Sequence, residues 1–132
     1  MNFSVVVLAA GQGTRMSSSK PKALQTLAGK PMLSHVLTQV EKTKPDQTIV
    51  VHSPGHRDLV KNVATNFSEI KLVAQEKPLG TGDAVKAAIP TLDKGNNILV
   101  LLGDVPMIKA KTLKLLKEGV ESVDILVLTT KL

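Results

Sequence analysis

Two glycines lie directly after the first apolar run of the sequence, in the stretch LAAGQGTRM at residues 8–16. Gly11 and Gly13 permit positive φ and close backbone approach, so this loop can present several N–H groups to a phosphate oxygen. The pattern matches neither of the two common glycine-rich nucleotide motifs, GxxxxGK[ST] and GxGxxG. Taken alone, the glycines are equally consistent with a plain turn between a strand and a helix.

Cations distinguish this loop from a plain turn. Arg15 carries a planar guanidinium with five N–H donors, which suits phosphate oxygens. Lys22 follows Pro21, whose ring stiffens the backbone before the lysine. Together with the glycines, these residues predict a loop that binds a polyphosphate. Solvated surface cations are the alternative.

A second polar stretch, QEKPLGTGDA at residues 75–84, follows the third apolar run and opens an alanine-rich segment. Gln75 offers an amide donor and acceptor that suit the edge of a nucleobase. Thr81 is predicted to cap the helix that follows. A capped helix start needs no ligand and by itself explains this stretch better, so its functional interpretation depends on the glycine-rich loop.

A carboxylate ends the apolar run in ILVLLGDVPMI, residues 98–108. Asp104 stands one residue after Gly103 and two residues before Pro106. Mg²⁺ prefers oxygen ligands and commonly bridges one or two carboxylates to substrate phosphates. Asp104 is therefore a candidate Mg²⁺ ligand, with helix capping or turn formation as the alternative. The three stretches together favour the ligand role.

The elements that must position these residues follow from the hydrophobic pattern. Nearly continuous apolar runs predict strands at residues 3–8, 48–51, 70–73, 98–102 and 125–128. Helical spacing between them predicts helices within residues 33–40, 59–67, 80–92 and 113–120, the third ending near Pro90. This order predicts an α/β fold with a doubly wound, mostly parallel sheet of five strands. All three polar stretches follow strands, at the carboxyl ends where such sheets bind ligands.

Composition limits the class of protein. The 132 residues are 42% hydrophobic and 21% charged, which fits one globular domain over residues 1–132. The absence of cysteine excludes disulfides, thiol nucleophiles and Cys-ligated zinc. No apolar run is long enough for a membrane span or a signal sequence, so we expect a cytoplasmic protein. The net charge of +6 suits an anionic partner, but two aromatic residues are few for binding nucleic acid. A phosphorylated small molecule is the expected partner.

These stretches, in this order, resemble the sugar nucleotidyltransferase superfamily, whose fold is Rossmann-like. The likeness runs from VVVLAAGQGTRM through SKPKALQTLAGKPMLSHV, QEKPLGTGDAV and LLGDVPMI to LTTKL, which is practically the whole chain. Within the superfamily, the combination of LAGKPML, LGTG and GDVP is most similar to the uridylyltransferase domain of a bifunctional family. Members of that family join uridylyl transfer onto N-acetylglucosamine 1-phosphate with acetyl transfer onto glucosamine 1-phosphate.

The resemblance implies that UTP and N-acetylglucosamine 1-phosphate give pyrophosphate and UDP-N-acetylglucosamine, a precursor of peptidoglycan and lipopolysaccharide. It implies nucleotide contacts at Leu8, Ala10, Gly11, Gly13, Lys22, Gln75, Gly80 and Thr81. Arg15 and Lys22 would be the catalytic residues that bind phosphates, and Asp104 would hold Mg²⁺. Two positions depart from the family pattern: Asp83 stands where members often have histidine, and Leu102 stands where others have a polar residue or tyrosine.

The resemblance also implies that the chain is the nucleotide-binding part of a nucleotidyltransferase domain truncated at its C-terminus. In the family, the sugar-binding residues, the second metal ligand and the β-helix domain that drives trimerisation come from sequence beyond Leu132. We therefore expect weak nucleotide binding and little or no transfer by this chain alone. The alternatives are a nucleotidyltransferase for another acceptor, such as a molybdopterin or a methylerythritol phosphate, and a non-catalytic nucleotide-binding domain.

Overall fold

A four-stranded parallel sheet lies at the centre of the structure, a computed structural model that describes residues 2–11 and 20–131. The described residues form six strands: β1 (Phe3–Leu8), β2 (Thr26–Leu27), β3 (Lys30–Pro31), β4 (Gln47–His52), β5 (Ile70–Ala74) and β6 (Asn97–Leu102). They also form four α-helices: α1 (Met32–Lys42), α2 (Arg57–Ala64), α3 (Thr81–Ala88) and α4 (Ala110–Gly119). The predicted α/β fold with a parallel sheet is confirmed.

The order of the strands in the sheet is β5–β4–β1–β6, and each neighbouring pair is parallel. At the end of β1, Leu8 stands opposite Val51 of β4 on one side and Leu102 of β6 on the other. The chain moves outward from β1 through β4 to β5 and then returns to the other side of β1. Open parallel sheets of this kind bind ligands where the strand order reverses, which here is between β1 and β6.

Helices cover both faces of the sheet. On one face, Val5 of β1 lies in a core with Leu33 of α1 and Leu113 of α4, and α2 joins the same core. On the other face, Val6 of β1 packs with Ala84 of α3. Because successive residues of β1 enter opposite cores, the whole strand is buried and reads as a continuous apolar run.

The prediction of a fifth strand at residues 125–128 is wrong. These residues form no regular secondary structure, and Ile125 and Val127 are exposed. Residues 124–128 and β6 instead line a common groove of about 570 Å³. Strand propensity describes how side chains fit a sheet, and an apolar run without a hydrogen-bonded neighbour does not form a strand.

The outer strand β6 carries an exposed apolar stripe. Ile98, Val100 and Leu102 are 48%, 42% and 45% exposed. In register they stand opposite Ser4, Val6 and Leu8 of β1, so they lie on the face that α3 covers. Among the strands, α3 packs mainly on β1, β4 and β5. The stripe is therefore left open at the edge of the sheet.

The predicted helices are present with small differences in their apolar faces. In α2, Val60 and Val63 are buried, whereas Leu59, which was expected on the apolar face, is exposed. Phe67 lies beyond the end of α2 and packs against the core from the following turn. Pro90 lies in a 3₁₀ turn directly after α3, as predicted. Among the described residues, no helix is both long enough and apolar enough to cross a membrane.

A short hairpin, formed by β2 and β3, was not predicted. Its connecting residues, Ala28 and Gly29, have φ values of 52° and 79°. Positive φ at both positions is typical of the tight type I′ turn that joins two antiparallel strands. The strands have only two residues each, which is too short for a hydrophobic pattern to mark them.

Candidate functional site

The ends of β1 and β6 meet at a tightly packed glycine. The N–H of Gly103 donates a hydrogen bond of 2.8 Å to the carbonyl oxygen of Leu8. A Cβ atom on Gly103 would lie 3.0 Å from that oxygen and 3.2 Å from Cβ of Ala23. Since a Cβ here would press on its neighbours, glycine allows this close approach without displacement and brings the next residue, Asp104, to the point where the strand order reverses.

A single 3₁₀ turn, Lys22–Leu24, brings the predicted lysine to the same point. The other two residues of the turn are buried and anchor it in the core, whereas the Lys22 side chain is exposed. The backbone N–H of Lys22 donates to the carbonyl oxygen of Gly11 over 3.4 Å. Lys22 Nζ lies 3.1 Å from Oδ2 of Asp104. The structure thus brings Gly11, Lys22 and Asp104 together.

The ion pair between Lys22 and Asp104 is open to solvent, with the two side chains 56% and 28% exposed. An ion pair of this exposure contributes about 0–1 kcal/mol to stability, because water and salt screen it. The fold therefore does not depend on the pair. Both groups remain accessible to a ligand: an ammonium group that can bind a phosphate and a carboxylate that can bind a cation.

Asp104 fits the way in which proteins hold Mg²⁺. Within residues 2–11 and 20–131, no three histidine or acidic side chains gather into a closed metal site. Mg²⁺ commonly uses one or two carboxylates, keeps several waters and takes its remaining ligands from substrate phosphates. A single accessible carboxylate beside an ammonium group therefore has the chemistry that suits a magnesium ion bound to a phosphate.

Two of the predicted phosphate-binding residues, Gly13 and Arg15, lie outside the described residues, and their roles stay predictions. The loop after β1 is described as far as Gly11. Leu8, the last residue of β1, and Ala10 in this loop are buried, and Gly11 is exposed.

A serine that the sequence analysis missed holds this loop from the neighbouring strand. Ser53 follows β4, and its Oγ donates a hydrogen bond of 2.9 Å to the carbonyl oxygen of Ala10. The carbonyl oxygen of Ser53 accepts hydrogen bonds from Nδ1 of the buried His52, over 2.8 Å, and from the N–H of His56, over 3.0 Å. Ser53 therefore positions the residue before Gly11. Its signal in the sequence is a polar residue directly after a strand, at the same edge as the other site residues.

The stretch after β5 folds back on itself around a buried glutamine. The backbone N–H of Gln75 donates to the carbonyl oxygen of His52 over 2.8 Å. Its side-chain nitrogen donates to the carbonyl oxygen of Gly80 over 3.1 Å and to Oδ2 of Asp83 over 2.9 Å. Gln75 and Gly80, which are both predicted to contact the nucleotide, thus lie together. The contact with Asp83 was not predicted, because it depends on the phase of α3.

The prediction that Thr81 caps α3 is wrong. Gly80 occupies the N-cap position with a φ of 103°, and Thr81 is the first residue of the helix. That φ lies in a region favoured by glycine, so a threonine would be strained at the cap itself. Thr81 is exposed at the start of the helix, next to Gly80.

Hydrogen bonds join the carboxyl ends of all four strands of the sheet into one edge. Gly103 after β6 bonds to Leu8 of β1, and Ser53 after β4 bonds to Ala10 after β1. Gln75 after β5 bonds to His52 of β4. The described candidate residues therefore lie along a continuous edge, with the cation and the carboxylate at one end and the glutamine at the other.

The model of the MobA-like NTP transferase domain family matches residues 5–131 of the chain. The chain belongs to this family. The match spans all four strands of the sheet and each candidate residue of this MobA-like NTP transferase chain. It agrees with the expectation that the chain is a nucleotidyltransferase.

Several similar proteins are named "Bifunctional protein GlmU". The relative from Nitrosomonas europaea is 46% identical over 132 residues, which is 100% of this chain and 29% of the relative. The relative from Psychrobacter arcticus is 44% identical over 130 residues, or 96% of this chain and 28% of the relative. This MobA-like NTP transferase chain therefore spans between a quarter and a third of the length of these relatives.

Two solved nucleotidyltransferase structures share the fold. The 4-diphosphocytidyl-2C-methyl-D-erythritol synthase of Anaerococcus prevotii has a TM-score of 0.75 at 20% identity, covering 90% of this chain and 50% of that one. The UDP-glucose pyrophosphorylase of Acinetobacter baumannii has a TM-score of 0.75 at 22% identity, covering 94% of this chain and 54% of that one. At these identities the likeness shows the fold of the MobA-like NTP transferase chain and not its substrate.

Proposed function

We propose that the chain is the nucleotide-binding part of a uridylyltransferase that forms UDP-N-acetylglucosamine. UTP and N-acetylglucosamine 1-phosphate are the proposed substrates, and pyrophosphate is the second product. The observation that carries the proposal is the 3.1 Å contact between Lys22 and Asp104 at the reversal of strand order. In this contact an ammonium group, which we propose binds phosphate, lies beside a candidate Mg²⁺ ligand at the point where this type of sheet binds ligands. The identity to the GlmU relatives supports a sugar nucleotidyltransferase, and the family resemblance of the sequence implies these substrates.

The proposed reaction needs no covalent intermediate with the protein. An oxygen of the sugar phosphate attacks the α-phosphorus of UTP, and the bond from that phosphorus to the bridging oxygen of pyrophosphate breaks. Negative charge increases on the transferred group and on the leaving group, so positioned cations accelerate the step. Lys22 and Arg15 are proposed to bind these phosphates, and each well-placed donor contributes about 2.7–4 kcal/mol if it resembles an oxyanion-hole contact.

Asp104 is the residue proposed to hold Mg²⁺. A magnesium ion bound to nucleotide phosphates neutralises part of their charge. The part of Lys22 is separate: its ammonium group binds and orients phosphate oxygens at the same edge of the sheet.

The remaining candidate residues are proposed to bind the nucleoside. Ala10 and Gly11 would meet the uridine, with Leu8 and Gly13 in the same loop. Gln75, Gly80 and Thr81 would complete the recognition of base and ribose. The hydrogen bonds that fix Ala10 and Gln75 support these roles, because a site that binds tightly has its groups ordered before the ligand arrives.

The cellular role is part of the same proposal. UDP-N-acetylglucosamine made in the cytoplasm would supply peptidoglycan and lipopolysaccharide synthesis. Trimerisation through a further domain, as the family resemblance implies, stays a prediction.

Calorimetry of the purified chain with Mg²⁺ and UTP, CTP, GTP or ATP tests the proposal. We expect UTP to bind most tightly, and Lys22→Met to weaken UTP binding about tenfold or more, because a hydrogen bond from a charged donor is lost. Lys114→Met is the matched control, since Lys114 is exposed on α4 and carries the same charge. Equal losses in both variants would show a nonspecific charge effect. A preference for CTP or GTP would assign the chain to a different acceptor class.

A further inference from the structure

Gln75 is held more firmly than a side chain that merely contacts a ligand requires. It is only 6% exposed, and its backbone N–H continues the hydrogen bonding between β4 and β5. The backbone and the side chain are therefore both fixed in the free protein. The orientation of the amide group is therefore fixed before any ligand binds.

Both hydrogens of the Gln75 amide are used inside the protein. The side-chain nitrogen donates to the carbonyl oxygen of Gly80 and to Oδ2 of Asp83, over 3.1 Å and 2.9 Å. A carbonyl and a carboxylate oxygen can only accept hydrogen bonds, so the end of the amide that faces them must be the NH₂ group. Because an amide nitrogen carries two hydrogens, no donor remains for a ligand.

Asp83 is held in place by the start of α3. It lies in the first turn of the helix, where the unpaired N–H groups and the helix dipole favour a negative charge. Gly80 is the N-cap residue of α3, and its carbonyl oxygen also accepts a hydrogen bond from the N–H of Ala84 over 3.1 Å. Gly80, Asp83 and Gln75 thus form one unit, which we name the amide clamp.

From the amide clamp we infer that Asp83 determines base specificity by making Gln75 a pure hydrogen-bond acceptor toward the nucleobase. The inference rests on the proposed function, in which Gln75 meets the base. An acceptor at this position suits a base that presents a ring N–H. Uracil carries a hydrogen on N3, whereas cytosine carries a lone pair on N3. We place the Gln75 oxygen opposite N3 of the base, and not opposite the 4-position where cytosine carries an amino donor, so the clamp favours UTP over CTP.

The test is the ratio of the affinities for UTP and CTP, measured by calorimetry with Mg²⁺ for the wild type and for Asp83 variants. The wild type is expected to bind UTP about tenfold or more tightly than CTP. UTP makes a hydrogen bond to Gln75, whereas CTP leaves the Gln75 oxygen unpaired. Asp83→Ala releases one amide hydrogen, so the ratio falls toward one as CTP binding improves relative to UTP. A purely structural role for Asp83 would weaken both nucleotides equally and leave the ratio unchanged.

Two variants separate the acceptor from the charge. Asp83→Asn keeps an acceptor oxygen for the Gln75 amide and is expected to keep most of the UTP preference. Asp58→Ala removes an acidic residue from the first turn of α2 and is the matched control for charge at a helix start. It should leave the ratio unchanged.

The wild-type protein gives a second readout that does not depend on the folding of any variant. Both side-chain amide hydrogens of Gln75 should exchange slowly with solvent in the free protein, as seen by NMR. Fast exchange of either hydrogen would overturn the inference, and so would an unchanged ratio in Asp83→Ala. Nucleotide binding without base preference would overturn the inference alone. Failure of the wild type to bind any nucleotide would overturn the proposed function as well.

Discussion

Gly103→Ala is expected to destabilise the chain and to disturb the site at once. The added Cβ would lie 3.0 Å from the carbonyl oxygen of Leu8, 3.2 Å from Cβ of Ala23 and 3.4 Å from Cδ1 of Leu33. Leu33 can turn aside. The Leu8 oxygen cannot, because it belongs to a central strand and already accepts the Gly103 N–H over 2.8 Å.

The structure therefore predicts that Ala23 moves, and with it the turn that carries Lys22. Overpacking of this kind costs about 1–3 kcal/mol. Displacement of the turn should also lengthen the 3.1 Å contact between Lys22 and Asp104 and weaken nucleotide binding. The loss of stability and the loss of binding are expected together, although Gly103 itself contributes no side chain to the site.

Urea unfolding followed by far-ultraviolet circular dichroism measures the effect, since the chain has no tryptophan or tyrosine to report by fluorescence. Gly55→Ala is the matched control, because an added Cβ there has no neighbour within 4 Å among the described atoms. It should stay within about 1 kcal/mol of the wild type, on the stabilising side. If Gly103→Ala proves as stable as Gly55→Ala, the close approach at Gly103 does not constrain the site.

Three further predictions concern other parts of the chain. Ser53→Ala should weaken UTP binding several-fold at nearly unchanged stability, by calorimetry and urea unfolding, because Ala10 loses its hydrogen bond. Hydrogen bonds from Ser68, first from its hydroxyl and then from its N–H, lower the pKa of Glu41. These bonds therefore stabilise the fold at pH values above the ordinary glutamate pKa, and the stabilisation is lost as pH falls through the lowered pKa. In an NMR titration Ser68→Ala should raise that pKa. The exposed apolar stripe on β6 should make the chain self-associate as its concentration rises, and Val100→Lys should reduce this association, as measured by analytical ultracentrifugation.

Much of the fold follows from the sequence because buried parallel strands leave a strong local pattern. The run of apolar residues in β1 gives the strand its observed bounds, Phe3–Leu8, since both of its faces are covered. Residues 125–128 have the same pattern and line a groove together with β6, but they pair with no strand. Whether an apolar run has a hydrogen-bonded neighbour is a property of the whole fold, and no local pattern contains it.

The residues of the site also differ in whether a local sequence pattern predicts them. Lys22 and Asp104 could be chosen from the sequence because each follows a strand, and strand ends of a parallel sheet share one edge. Ser53 also follows a strand directly, but its role and that of Asp83 could not be predicted, because both roles depend on hydrogen bonds to particular atoms of Ala10 and Gln75. Those contacts depend on strand register and on the rotation of α3, which composition and spacing do not fix.

The central claim is that the edge formed by the strand ends binds a magnesium nucleotide. Mapping backbone amide shifts by NMR while titrating the chain with UTP and Mg²⁺ tests it most directly. We predict the largest changes at Gly11, Lys22, Gly80 and Asp104, and little change at Lys114 on α4. Shifts confined to α4, or to the basic surface around Arg57 and Lys71, with no change along the edge, would contradict the claim.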